Sequence, residues 1–165
     1  LQNLSTDTHF INTLRLSDKN FEERYDLELV TRFVCLRTED IANLKGVSDF
    51  GHYLDKRIIA IFRSKDFDWD KEIEIFKKTL GDSAFLKYDV EKKKFTGRFY
   101  TSAFEFVAIG LGRKEGVLPL NFNLKEQVIE LWKDIAEENV SWKGFNAAGR
   151  LAQTLKLVDK LYSDE

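Results

Sequence analysis

The sequence predicts a mainly α-helical domain over residues 1–165, a compact bundle of about six or seven helices with one small β-hairpin or extended loop near residues 86–99. Apolar residues recur at helical spacing in stretch after stretch, and the breaks between these stretches are short. One segment alone alternates apolar and polar residues with a period of two. With 165 residues, 43% hydrophobic and 33% charged, and 14 Phe, the chain has the length of a single domain and the means to bury a large aromatic core.

The elements are taken in chain order. Residues 7–16 form a short first helix with Phe10, Ile11 and Leu14 as its apolar stripe, and Ser17, Asp18, Lys19 and Asn20 break it. Asp18 or Asn20 is placed to cap the next helix. Residues 21–37 run without Gly or Pro, and at 100° per residue Tyr25, Leu27, Leu29, Val30, Phe33, Val34 and Leu36 cover more than half the circumference. Such a helix contacts neighbours on several sides and is expected to be central.

Residues 38–46 are a connection or a single helical turn. Ser48 then opens a helix through Phe62, with Phe50, Leu54, Ile58, Ile61 and Phe62 directed inward. A helix over residues 69–80 presents Trp69, Ile73, Phe76 and Leu80, stops at Gly81, and is expected to pair antiparallel with its predecessor.

In the alternating segment, Leu86, Tyr88 and Val90 precede a charged turn. Ser102 and Glu105 have capping-box spacing and open a second central helix over residues 104–111, where Gly110 and Gly112 permit close packing. Asn123 caps a helix to about residue 138, burying Leu124, Val128, Leu131, Trp132 and Ile135, after a connection holding Pro119. Beyond the break Ser141-Trp142-Lys143-Gly144, a closing helix over residues 146–162 turns Leu151, Leu155, Val158, Leu161 and Tyr162 to one face and leaves Arg150, Lys156 and Lys160 outside it.

Several function classes are set aside by composition. A single Cys35 inside a helical pattern offers no disulfide framework and no thiolate metal cluster, which fits a reducing, cytoplasmic setting. His9 and His52 lack neighbours at ligand spacing. With no Gly-x-Ser-x-Gly and no phosphate-binding loop after a strand, the residues nominate no catalytic group, no metal and no cofactor. Apolar runs fall short of the ~18 residues of a membrane span, so no membrane partner is expected. A start at Leu1 and the absence of Met elsewhere read as marks of a domain excised from a longer protein.

Two groups of charged residues are candidate contact sites. Arg24, Glu28 and Arg32 stand at i, i+4 and i+8, which places one carboxylate between two guanidinium groups along a helix; the row is either a solvated face or a contact surface for another domain. Lys92, Lys93, Lys94 and Arg98 cluster at the hairpin among Tyr88, Phe95, Phe99 and Tyr100, either as a solvated tip over an aromatic cluster or as a DNA contact. The net charge of −2 does not favour a nucleic-acid binder over its whole surface.

The stretch from Arg24 to Phe33, with Glu28-Leu29-Val30-x-Arg32-Phe33 inside it, resembles the helical region of a bacterial ParB-like family that includes GmrSD-type modification-dependent restriction and phage-defence proteins. Residues 85–111, running into Ser102-Ala103-Phe104-Glu105, and Gly149-Arg150-Leu151 at the start of the closing helix are similar to later landmarks of that family. The resemblance implies a non-catalytic accessory domain whose partners are a preceding ParB/sulfiredoxin-like domain of the same chain and, through the parent protein, DNA. The parent is then a possible nucleotide-dependent nuclease. The family's Asp-Gly-Gln-Gln-Arg motif and a His-Asn-His pattern do not occur here, so no catalytic residue carries over. The alternative is a helical protein-interaction module with no tie to nucleic acid.

Overall fold

The computed structural model describes residues 7–114, 123–141 and 143–161. Within them the chain is mainly helical, with one two-stranded antiparallel sheet. Helix α1 (Thr8–Leu14) starts where Asp7 accepts hydrogen bonds from the backbone N–H groups of His9 and Phe10, at 2.8 and 3.1 Å. It buries Phe10 and Leu14.

The long helix expected over residues 21–37 is in fact two. Helix α2 (Asp18–Glu22) is capped by Ser17 rather than by Asp18 or Asn20, and α3 spans Tyr25–Leu36. Between them Arg24 adopts a left-handed conformation, φ 58°, ψ 33°. A single left-handed residue costs about 1–2 kcal/mol. It ends α2 and lets α3 start in a new direction. Helix α3 is central as expected: it buries Leu29, Val30, Phe33, Val34, Cys35 and Leu36 and touches α2, the next long helix and the segment after the hairpin.

A 3-10 turn at Ile41–Leu44 leads to α4 (Phe50–Arg63), capped by Asp49 rather than Ser48. Leu54 and Ile61 are buried and Phe50 and Ile58 half-buried, but Phe62 is 62% exposed. Phe62 lies at the margin of the inward arc and covers Trp69 instead, ring centroids 4.9 Å apart. Helix α5 (Trp69–Lys78), capped by Asp68, buries Ile75 and Phe76, while Trp69 and Ile73 are half-buried. The expected antiparallel pairing of these two helices is not the main packing, because α4 lies chiefly against α3.

Strands β1 (Lys87–Asp89) and β2 (Lys94–Thr96) form the hairpin, with Tyr88 opposite Phe95. Helix α6 (Thr101–Phe104) then runs into a π-helical stretch, Glu105–Leu111. Every residue from 102 to 112 is buried. Ser102 does not cap this helix: Tyr100 is the N-cap, with no side-chain bond, and the Glu105 carboxylate turns inward. Helix α7 (Leu124–Glu137) begins at Asn123 as expected and buries Val128, Leu131, Trp132 and Ile135, leaving Leu124 half-buried.

Helix α8 (Ala147–Leu161) buries Leu151, Leu155 and Val158 against the π-helical stretch. Pro119, Trp142, Tyr162 and the side chain of Leu161 lie outside the described residues. Eight α-helices are therefore present among the described residues, the short α2 and α6 adding to the expected number. Gly110 marks the closest approach of the two innermost segments, where a Cβ would come within 2.7 Å of Val158 Cγ2. Phe76 joins the halves of the core, with its ring centroid 4.6 Å from that of Phe33, 5.6 Å from Phe10 and 6.3 Å from Phe104. The buried apolar residues form one continuous cluster. No helix among the described residues is long and apolar enough to cross a membrane.

Candidate functional site

The charge row Arg24, Glu28, Arg32 does not form as helical spacing implies. Arg24 sits at the left-handed break, its Nε 3.5 Å from Asp26 Oδ1, and so leaves the line. Arg32 keeps Glu28, donating from Nη2 and Nε to Oε1 at 2.6 and 3.0 Å, and lies with Cζ 5.4 Å from the Phe50 ring centroid. Its Nη1 is 4.0 Å from Glu105 Oε1. One guanidinium thus stands between two carboxylates, the reverse of the expected order.

Glu105 is the anchor of this group. At 1% exposure it accepts hydrogen bonds from Arg150 Nη2 and Nε, at 2.7 and 3.1 Å. Arg150 therefore does not lie outside the closing helix's contact face; it turns toward the core because a buried carboxylate must be met by a cation. The sequence signal for Glu105 was its position as the one charged residue in the apolar run from Ala103 to Leu111. Nothing in the spacing identified Arg150 as its partner.

A second ion cluster ties the end of α3 to the far end of the π-helical stretch. Arg37 forms a two-pronged ion pair with Glu72 and donates to the Gly112 carbonyl at 3.4 Å. Arg113 Nη1 donates to the carbonyls of Leu36, Arg37 and Glu39, the last at 2.6 Å. Glu39 accepts from Asn43 Nδ2 at 2.7 Å and lies 3.0 Å from Arg57 Nε. Burial pushes the Glu39 carboxyl up, yet hydrogen bonds from Asn43, Tyr53 and the Asp40 backbone, with the Arg57 charge, hold it below the usual carboxylate range. These groups tie α3, the 41–44 turn, α5 and the end of the π-helical stretch together.

The described residues contain no group of three His, Cys, Asp or Glu side chains able to hold a metal ion. Cys35 is fully buried, and loss of solvent pushes its thiol up to about 12, so the thiolate that nucleophilic chemistry needs does not form near neutrality.

At the hairpin, Lys92, Lys93, Lys94 and Arg98 are all exposed. Lys92 Nζ is 3.1 Å from Asp89 Oδ2, and hydrogen bonds from the Lys92 backbone and side chain draw the Asp89 carboxyl below its ordinary value. Of the interleaved rings Tyr100 alone is exposed, at 39%. Tyr88 and Phe95 contact each other at 5.1 Å and Phe99 meets Phe85 and Phe104, with Tyr88, Phe95 and Phe99 half-buried against the core. The tip is cationic.

A different surface stands out from the geometry. A groove of about 720 Å³ lies between the segment 41–48 and the start of α8. Ile41, Leu44 and Val47 line it from the first segment, and Phe145, Gly149 and Ala152 from the second. Asn146 joins the two: its Nδ2 donates to the Val47 carbonyl at 3.0 Å while its Oδ1 accepts from Gly149 N at 2.8 Å, opening α8. The groove is therefore preformed, and Phe145 extends its apolar surface outward at 44% exposure. Periodicity could not reveal it, because the lining comes from a loop and a helix start that are distant in sequence, Asn146 lying 99 residues beyond Val47. No protein-family model, no curated protein and no solved structure matches the chain.

Proposed function

We propose that this chain is a non-catalytic helical accessory domain that works by docking a partner in the groove between residues 41–48 and the start of α8. The preformed apolar lining carries this reading, since a solvent-open apolar concavity between two tied segments is what a binding surface requires. The two ion clusters support it by making the walls rigid, which lowers the ordering cost of association. Ala42 lines the groove and is exposed, so Ala42→Trp fills it without entering the core. Proteins that co-purify with the protein are expected to be lost on Ala42→Trp with unfolding stability unchanged; an unaltered set rejects the groove as the docking surface.

A second reading places the domain in a ParB-like DNA-processing or phage-defence protein, with a preceding domain of the same chain on the Glu28–Arg32 side and DNA near the hairpin. The exposed cations Lys93, Lys94 and Arg98, beside the ordered resemblance in the sequence, favour it. Binding of labelled duplex DNA to the parent protein should weaken steeply with salt and fall when Lys92, Lys93 and Lys94 are changed to Glu. Unchanged affinity removes the hairpin from consideration, and a parent gene without an upstream Asp-Gly-Gln-Gln-Arg motif removes the family assignment.

A further inference from the structure

We infer that the occupant of the groove is an acidic peptide segment, a large apolar side chain in the cleft flanked by carboxylates that meet Lys45 and Lys156; this rests on the docking reading above. The chain as a whole carries a net charge of −2, yet Lys45 and Lys156 are the ionisable side chains among the residues lining this groove. Both are exposed, and no carboxylate lines the groove beside them. Some lysines elsewhere stand against acids, as Lys92 does near Asp89, Lys114 near Asp159 and Lys133 near Glu130; what distinguishes Lys45 and Lys156 is that both border the same apolar lining. Lys45 and Lys156 form no ion pair among the described residues, so their charges remain available to a ligand.

Two cations over an apolar lining select for both properties at once. A purely apolar segment would leave the ammonium groups without a counter-charge at the edge of a desolvated contact, and a basic one would be repelled. Nucleic acid fits poorly, because phosphate tracking needs a longer run of cations and gains little from an aliphatic floor. A single bulky anchor in a preformed pocket, ringed by polar contacts, is the arrangement that concentrates binding energy in protein interfaces. Lys45 and Lys156 then set partner choice and association rate more than total affinity.

The test is selection from a random dodecapeptide library displayed on phage, panned against the whole chain. Enriched peptides are expected to carry a large apolar residue flanked by Asp or Glu. A synthetic, dye-labelled member should bind by fluorescence anisotropy, more weakly as salt is raised. Its affinity should drop about tenfold or more when Lys45→Glu and Lys156→Glu are combined. Lys45→Gln with Lys156→Gln, a milder change at exposed positions, should give a smaller loss in the same direction, and Ala42→Trp should abolish binding. Enriched peptides without acidic residues, or binding indifferent to both lysine pairs, overturn the acidic partner while leaving the groove standing if Ala42→Trp still blocks it. No enrichment, or binding untouched by Ala42→Trp, overturns the groove itself.

Discussion

Glu105 Oε1 lies 2.7 Å from Arg150 Nη2, and this contact joins the π-helical stretch to α8 inside the core. Glu105→Ala leaves the Arg150 guanidinium, itself three-quarters buried, without its carboxylate. The expected cost is on the order of 3–5 kcal/mol, measured by urea unfolding. Replacing both residues, Glu105→Leu with Arg150→Met, should recover much of that loss, since an apolar pair needs no counter-charge. A loss below ~1 kcal/mol for the single change would show that the ion pair is not what holds these segments.

Glu28 makes the opposite case on the same network. Its side chain is 47% exposed, and Arg32 keeps Glu105 and the Phe50 ring when Glu28 is removed. Glu28→Ala should therefore cost less than ~0.5 kcal/mol in this chain. A loss of several kcal/mol would show instead that this carboxylate is held out of solvent.

Gly110→Ala brings a methyl group to within 2.7 Å of Val158 Cγ2. The expected destabilisation is about 1–3 kcal/mol, because neither innermost helix can retreat without opening the rest of the core. Adding Val158→Ala should recover part of it. Additive losses in the double variant would refute the steric account.

Stability should fall in alkali through the buried Cys35 and the half-buried Tyr53. Burial raises the Cys35 thiol from 9.0 to about 12, and burial with a hydrogen bond to Glu39 raises Tyr53. For a raised group the folded state holds its proton longer than the unfolded state. Its contribution is full below the unfolded value and is lost as pH rises through the folded one. For Cys35 that window runs from about pH 9 to 12, with a slope of at most ~1.4 kcal/mol per pH unit. Urea unfolding at pH 7 and pH 10 should show the drop, and Cys35→Ala should reduce its size. The native thiol should also resist a disulfide reagent at pH 8 until the chain is unfolded; rapid labelling would contradict the burial.

Where only local spacing was needed, the sequence was legible. Asn123 at the start of α7, a hairpin or extended loop near residues 86–99, and the apolar stripes of α3, α7 and α8 all follow from side-chain periodicity, turn chemistry and capping preference, while the pairing of Tyr88 with Phe95 came only from the fold. Each depends on residues within a few positions of one another. The same local rules misread Ser102 and Glu105 as a capping box, placed Phe62 inside and Arg150 outside, and carried one helix through Arg24.

The outcomes at Glu105 and Arg150 share a cause. A carboxylate with capping-box spacing can close its own helix in water, but once the surrounding apolar run is buried it needs a cation from elsewhere, and Arg150 comes from 45 residues away. The left-handed turn at Arg24 is unfavourable within a helix, and no local spacing signals it. By itself the sequence determined which faces had to leave water and roughly where helices stop. Which face met which, and therefore where a groove stayed open beside Lys45 and Lys156, was decided only by tertiary packing, because desolvation acts between elements whose separation along the chain carries no periodic signal.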